Sequence, residues 1–407
     1  MECLFSYFMK WVFLIFYLCT CASLTAQWNQ LSDFSGTERD DACSFQLDGQ
    51  IYMGTGREIG FGLTKDFWRY DPSSDQWVQV ADLPGEYRQY SVAFSINGIG
   101  YVATGWDPNG DKLKDLWAHD PTLDQWTQMA DLPASGRSGS VAFVIDNIGY
   151  VVCGRLENDI TSQELWSYAP LLNQWTELAP LPGEPRELAA GFELEGFGYI
   201  TTGFDSLGQA LQDTWRYDPS MDQWTQVADF GGAARYGAEG FNASWRGIVT
   251  CGAPDPSNFY NDTWAYDAVA DQWSQMDNFI GPNRKGGAGA VLNDVIYYGT
   301  GVDVILRYND FYKYDLSTSI PDNSNSEFSV GPNPCTTFIR INAEDRSNND
   351  RSIELMDLNG KVLMHKRSTS STVELNTAQF PSGVYILKMR NGTDPFKYEK
   401  LIIQHNN

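Results

Sequence analysis

The sequence contains very few histidines. Three occur among 407 residues, and the one within the repeated part of the chain, His119, stands where neighbouring repeats have a tyrosine. We therefore expect His119 to pack in a core rather than to catalyse. Because the repeats contain a single histidine, we expect neither a histidine-dependent triad nor a histidine-rich metal site there. No catalytic residue, metal site or cofactor is predicted.

Basic residues are scarce relative to acidic ones. The chain has 28 Lys and Arg residues against 52 Asp and Glu residues, for a net charge of −24. Such a charge repels the phosphates of nucleic acids and the surfaces of anionic membranes. We expect no nucleic-acid partner.

Long apolar segments are also rare. The segment Trp11–Leu18 follows a lysine and is too short to span a bilayer, and small and polar residues lead from it to Ala26. This order predicts a secretory signal over residues 1–26, cleaved after Ala26. Cys19 and Cys21 leave a lipoprotein anchor as an alternative. No later segment is long enough to be a transmembrane segment.

Internal repetition dominates the rest of the chain. Tryptophan recurs every 49 residues at two positions, and glycine recurs with the same spacing at a third. The three series are Trp68, Trp117, Trp166, Trp215 and Trp264; Trp28, Trp77, Trp126, Trp175, Trp224 and Trp273; and Gly56, Gly105, Gly154, Gly203, Gly252 and Gly301. Three series in one register indicate repetition of one structural unit.

Each unit reads as four short strands. In the second unit, strand a covers residues 91–94, and the Asn97-Gly98 dipeptide that follows favours a tight hairpin turn. Strand b covers residues 100–105, strand c covers residues 115–120, and strand d surrounds Trp126. We expect the tryptophans of the two series to pack between neighbouring units.

These units resemble Kelch repeats. The resemblance rests on Gly56, on residues 66–72 (Asp-Phe-Trp-Arg-Tyr-Asp-Pro), on Trp77, and on their counterparts in the other units. It implies an all-β fold in which residues 27–316 form a six-bladed β-propeller. The family has paired glycines at the end of strand b, whereas this chain has Thr-Gly or Cys-Gly, which we expect to alter only the local backbone.

The ends of the tryptophan series predict how the ring closes. Trp28 has no strand c before it, and the sixth unit ends at Asp315 without a strand-d tryptophan. We therefore expect the N-terminal strand to complete the sixth blade, which would leave no open sheet edge.

Four cysteines would remain after the signal is removed, namely Cys43, Cys153, Cys251 and Cys335. The repeat places Cys153 and Cys251 at the same position two blades apart, which is too far for a disulfide. We predict buried free thiols.

A second domain follows the repeats. Residues 317–326 are rich in Ser, Thr, Asn and Pro and read as a linker. Residues 327–407 alternate apolar and polar residues between turns, which predicts a small β-sandwich. Pro332-Asn333-Pro334 and Gly383-Val384-Tyr385 resemble the C-terminal sorting domain of type IX secretion substrates. An accessory carbohydrate-binding or immunoglobulin-like sandwich is the alternative.

The sorting resemblance implies a destination and a partner. It implies passage across the outer membrane by means of the type IX secretion machinery, followed by removal of the tail. The mature protein is then expected to be secreted or attached to the outer-membrane surface.

Specificity is expected on one face of the propeller. Because strand direction alternates within a blade, the d–a and b–c connections share one face, and this face varies from unit to unit. Phe61, Trp106 and Tyr260 lie on it and are candidate ligand contacts, with Trp106 in a b–c loop. We expect this face to recognise a glycan or a protein.

One residue on the variable face is repeated in every unit. It is an arginine, found at Arg39, Arg88, Arg137, Arg186, Arg235 and Arg284. A ring of guanidinium groups suits an acidic ligand. Strand c of each unit begins with an acid, at Asp66, Asp115, Glu164, Asp213, Asp262 and Asp310. Ion pairs within each blade are therefore the alternative to a ligand site, and the one we favour.

Enzymatic activity is the alternative to binding. The Kelch resemblance includes sugar epimerases, among them those acting on sialic acid, so the alternative is a carbohydrate-active enzyme such as an epimerase or mutarotase of sugar acids. Glu86, Glu184 and Arg88 would be the kind of groups required, although their spacing does not single them out. Residues 107–115 also resemble a calcium loop in their oxygen spacing, through Asp107, Asn109, Asp111 and Asp115. Gly110 is misplaced for an EF-hand, so the calcium interpretation is disfavoured.

Overall fold

The computed structural model describes residues 27–316, 328–331, 333, 335–343, 351–356, 362–391 and 397–404. The predicted signal sequence and the predicted linker lie outside the described residues. No described helix is long and apolar enough to cross a membrane.

The repeats form six antiparallel four-stranded sheets, which we number as blades 1 to 6. From strand a to strand d, blade 1 consists of Cys43–Leu47, Gln50–Gly54, Phe67–Asp71 and Gln76–Val80; blade 2 of Val92–Ile96, Ile99–Trp106, Lys112–Asp120 and Gln125–Gln128; and blade 3 of Val141–Ile145, Ile148–Val152, Leu165–Ala169 and Gln174–Leu178. Blade 4 consists of Ala190–Leu194, Phe197–Thr201, Thr214–Asp218 and Gln223–Val227; and blade 5 of Glu239–Ala243, Arg246–Thr250, Thr263–Asp267 and Gln272–Gln275.

Blade 6 combines the two ends of the repeat region. Its strands a to c are Ala288–Leu292, Val295–Gly299 and Phe311–Asp315, and its strand d is Trp28–Gln30 from the N-terminus. Trp28 lies opposite Tyr314 in this antiparallel pair. The spacing of the tryptophans predicts this closure. The N-terminal strand covers the edge of Phe311–Asp315 that would otherwise be unpaired.

Blade 2 differs from the predicted unit. Its strand b continues to Trp106, so this residue ends a strand rather than lying in the b–c loop as predicted. The reason is a longer hairpin: Trp106 pairs with Lys112, and the register shifts between Leu113 and Leu116.

Strand-d tryptophans bind neighbouring blades together. Trp126 Nε1 donates to the Ala81 carbonyl of blade 1 at 2.8 Å, and the Ala81 N–H donates to Asp124 of blade 2 at 3.0 Å. The same tryptophan–carbonyl bond recurs for Trp77, Trp175, Trp224 and Trp273. These five tryptophans therefore combine apolar packing with a satisfied indole N–H. The indole N–H of Trp28, in blade 6, is buried without a partner among the described residues.

The C-terminal region forms two further sheets. One contains Phe328–Gly331, Phe338–Ala343 and Thr372–Asn376; the other contains Val362–Ser368, Arg351–Met356, Gly383–Asn391 and Lys397–Ile403. Ile339, Leu355, Leu387 and Leu401 are buried in one core shared by both sheets. This is the predicted β-sandwich.

The four described cysteines are buried free thiols, as predicted. Burial raises the pKa of Cys153 to about 12 and that of Cys251 to about 11. These thiols are therefore protonated and unreactive at neutral pH.

Candidate binding face

The d–a and b–c connections meet at one end of the propeller, as the strand directions predict. Within blades 1, 3 and 4 they pair as short ladders, formed by Arg39–Asp40 with Arg57–Glu58, Arg137–Ser138 with Arg155–Leu156, and Arg186–Glu187 with Phe204–Asp205. Adjacent blades are also joined here, because the Gly56 N–H of blade 1 donates to the Arg88 carbonyl at 2.8 Å. These backbone hydrogen bonds, within and between blades, hold the bases of the loops on this face in place.

The six repeated arginines lie on this face in ion pairs with the strand-c acids. The shortest N–O distance in each pair is between 2.5 and 2.7 Å. All six arginines have no exposed surface. The predicted pairing within each blade is therefore confirmed, whereas a ligand role for these arginines stays a prediction.

Each guanidinium also has backbone partners. In blade 2, Arg88 Nε donates to the Glu86 carbonyl at 3.1 Å, and Nη1 donates to the Thr104 carbonyl at 2.9 Å. Thr104 is the first residue of the Thr-Gly pair that replaces two glycines, and it adopts a φ of 62°. The departure from paired glycines therefore keeps the left-handed backbone and orients a carbonyl toward the arginine.

The strand-c acids have a third kind of partner, the indole of the first tryptophan series. Trp117 Nε1 donates to Asp115 Oδ2 at 2.6 Å, and the same bond recurs in blades 1, 3, 4 and 5. Burial alone would raise the pKa of Asp66, but hydrogen bonds and the charge of Arg39 outweigh it and lower that pKa. The arginine, the acid and the tryptophan thus form one structural unit in each of blades 1 to 5. In blade 6 the Tyr312 hydroxyl donates to Asp310 Oδ2 at 3.1 Å instead.

The three aromatic candidates lie on this face, each with a cation over its ring. Arg57 lies 4.4 Å from the Phe61 ring centroid. Lys112 Nζ lies 4.1 Å from that of Trp106, and Arg235 lies 4.4 Å from that of Tyr260. Phe61 is the most open of the three, with 68% of its surface exposed.

Sequence reasoning missed an apolar surface beside Phe61. Ile59 and Phe61 in the b–c loop of blade 1, and Val304, Ile305 and Leu306 in that of blade 6, are all more than half exposed. The two loops are adjacent because Arg307 of blade 6 lies 5.3 Å from the Phe61 ring centroid. We call these five residues the apolar ridge. The one sequence feature that could have predicted the ridge is the run of three aliphatic residues at 304–306 in an otherwise polar loop.

A closed belt of backbone hydrogen bonds surrounds the channel entrance on this face. One residue from each d–a connection donates its N–H to the carbonyl of the preceding one, at 2.7 to 3.2 Å. The members are Asp41, Tyr90, Gly139, Leu188, Gly237 and Gly286, all with a φ between 51° and 63°. A Cβ on Gly286 would lie 2.3 Å from Asp41 Oδ1, so a side chain there would require the Asp41 carboxylate to move.

The remaining candidates are held in local contacts or lie apart. The Asp107 carboxylate accepts the Asn109 and Asp111 N–H groups at 2.8 and 2.9 Å, whereas Asp115 belongs to the Arg88 ion pair. No group of three or more His, Cys, Asp or Glu side chains suited to a metal occurs in the described part of the chain. Glu86 and Glu184 are exposed and lie two blades apart.

His119 packs as predicted. It is 1% exposed, and its ring centroid lies 4.7 Å from that of Trp126. Its Nε2 lies 3.1 Å from Asp124 Oδ1.

Comparison with known proteins adds family and fold. Residues 199–231 match the family model of the Kelch motif, and residues 329–404 match that of the secretion system C-terminal sorting domain. The chain is a Kelch-type β-propeller with a type IX secretion sorting domain. The solved structure titled "Structure of YjhT" has a TM-score of 0.63 at 16% identity, and the alignment covers 72% of this chain and 98% of that one. No curated protein sequence matches the chain.

The sorting domain settles the destination of this Kelch protein. Proteins with this domain are exported by the type IX system to the cell surface or the medium, and the secretion machinery is therefore a partner. The predicted signal sequence agrees with this route.

Proposed function

We propose that the exported propeller is a binding module that recognises a protein partner through the apolar ridge on its variable face. The proposal rests on the ridge itself, which consists of five large apolar residues on two adjacent loops. Between 55% and 83% of the surface of each residue is exposed. Contiguous exposed apolar surface is the usual mark of a protein interaction site.

The chemistry of the ridge favours a protein over a glycan. Ile59, Val304, Ile305 and Leu306 offer no hydrogen bond to a sugar hydroxyl, whereas burial of each aliphatic side chain by a partner yields roughly 1.5–3 kcal/mol. Trp106 and the other aromatic candidates already have a cation over one ring face, which leaves less ring surface for stacking on a sugar.

Charge beside the ridge indicates the composition of the partner segment. Arg57 makes no ion pair within the described residues, and its guanidinium lies against Phe61. Arg307 is paired with the buried Asp40. A segment with apolar anchor residues and a neighbouring carboxylate would match this surface, because the carboxylate would pair with Arg57.

The test is selection of binders from a displayed random-peptide library on the immobilised full-length protein. Selected peptides should contain apolar residues near an acid. The variant Phe61→Ser/Ile305→Ser should bind them at least tenfold more weakly. Leu171→Ser/Leu172→Ser, which changes a c–d turn on the opposite face, should bind them like the unchanged protein.

Two results would contradict the proposal. One is equal binding of the selected peptides by the ridge variant and the unchanged protein. The other is saturable binding on a glycan array that the ridge variant loses, while no peptide is selected. The second result would assign the face to a glycan instead.

A further inference from the structure

The centre of the propeller contains a cavity of about 340 Å³, enclosed by the innermost strands of the blades. Its wall consists mostly of small side chains, among them Ala142, Gly191, Gly240 and Gly289. The hydrogen-bonded belt narrows the arginine end of the channel, because Gly237 of the belt is followed directly by the wall residues of blade 5. The volume is at the lower end of the range for small-molecule sites.

One wall residue breaks the repeat. At six equivalent positions, 49 residues apart, the chain has Cys43, Val92, Val141, Ala190, Glu239 and Ala288. The other five are buried side chains without charge. Blade 5 therefore places a carboxylate where the other blades place a small neutral group.

The Glu239 carboxylate lacks a counter-ion. It is the only charged side chain on the cavity wall, and no hydrogen bond or ion pair joins it to any described residue. The residue keeps some exposed surface, yet burial by the surrounding protein raises its pKa to about 8. Its charge also contributes to the raised pKa of the buried Tyr298. An unpaired carboxylate in such a place is costly unless something in the channel compensates it.

We propose that the channel binds a small organic cation, a protonated primary alkylamine, with its ammonium group against Glu239. The ammonium supplies the missing positive charge, and its short alkyl body fits the alanine, glycine and valine wall. Further acceptors are available: the Ser44 and Ser140 hydroxyls on the wall donate to the Gly289 and Cys153 carbonyls, which leaves their oxygen lone pairs free.

The site is separate from the apolar ridge, so this inference does not rest on the proposed function. The belt narrows the arginine end with bonded backbone groups, so we expect the amine to enter from the a–b turns at the opposite end. A partner on the ridge and an amine in the channel can be present together.

The experiment is titration calorimetry of the full-length protein with n-butylammonium chloride at pH 9 and pH 6, with 1-butanol as the uncharged probe. We expect saturable binding of one butylammonium per chain at pH 9 and none of butanol. Below about pH 8 binding must displace the proton from Glu239, so affinity should fall by about tenfold per pH unit. Proton release should appear as a dependence of the heat on the buffer.

Two variants complete the test. Glu239→Gln keeps the shape of the protonated side chain and should fold, but it should lose at least tenfold in affinity and all of the proton release. Glu177→Gln changes an exposed residue of the outermost strand of blade 3, away from the cavity wall, and it should bind like the unchanged protein. Absence of saturable binding at pH 9, or equal binding by Glu239→Gln, would overturn the proposal.

Discussion

The guanidinium of Arg88 and the carboxylate of Asp115 make a two-point contact, with Nη1 2.7 Å from Oδ1 and Nη2 2.6 Å from Oδ2. Arg88 precedes strand a of blade 2, and Asp115 lies in its strand c. The pair therefore joins the innermost strand to the third one across strand b. Because it recurs in every blade, it is part of the scaffold that carries the variable loops.

Removal of one partner from this pair should destabilise the fold. Arg88→Ala and Asp115→Ala should each lower the free energy of unfolding by about 3 kcal/mol or more, because each leaves a buried or half-buried charge unpaired. The double variant should lose less than the sum. Urea unfolding measures all three.

Lys114→Ala is the matched control for this cycle, because Lys114 is an exposed cation adjacent to Asp115. It should change stability by less than about 0.5 kcal/mol. Additive effects of the Arg88 and Asp115 changes would show that the contact carries no coupling energy.

Closure of the ring should depend on Trp28. This side chain is 4% exposed, and its ring lies edge-on to Phe279 at 5.0 Å. Trp28→Ala should lower the free energy of unfolding by about 3–5 kcal/mol. Gln30→Ala, in the same strand but exposed, should have little effect, and deletion of residues 27–31 should lower the melting temperature further than Trp28→Ala does. An unchanged melting curve for the deletion would contradict closure by this strand.

Stability should depend on pH through Glu239. Burial raises its folded-state pKa from 4.5 to about 8, so the protonated form is favoured by folding. Its contribution is complete below about pH 4.5 and is lost as pH rises through 8, for a total of about 5 kcal/mol. Urea unfolding of Glu239→Gln and the unchanged protein should therefore diverge between pH 5 and pH 9, with the variant the more stable at high pH. Parallel pH profiles would show that Glu239 is not buried as described.

Export should require the C-terminal domain. A chain that ends at Ser326 should fold, because the six blades contain their own cores, but should accumulate in the periplasm of its host. Cell fractionation with an antibody against the propeller measures this. Arg340→Ala, which removes an exposed ion pair with Glu374 within the domain, should reach the surface normally. Surface arrival of the truncated chain would contradict the sorting role.

The sequence predicted features that depend on the repeat alone. The 49-residue register placed Trp28 in the sixth blade and matched each arginine with its acid, because every blade repeats the same local geometry. It failed where neighbouring elements depart from the repeat. Trp106 belongs to a hairpin that is longer than those of the other blades.

The ridge and the channel site were not predicted, for two different physical reasons. Phe61 and Ile305 are far apart in sequence and become neighbours only because ring closure places blade 6 beside blade 1. The 49-residue spacing aligns Glu239 with five small neutral residues, so the sequence does show that it differs from them. Its importance, however, depends on its burial and on the lack of a counter-ion, which only the folded channel shows.

Hydrogen exchange of the full-length protein with and without a selected peptide tests the central claim, recognition through the apolar ridge, most directly. Bound peptide should slow exchange of backbone amides in residues 58–63 and 303–307. Amides in the c–d turn at residues 121–124, on the opposite face, should exchange at the same rate in both samples. Protection of the c–d turns with unchanged exchange in both ridge loops would contradict the account.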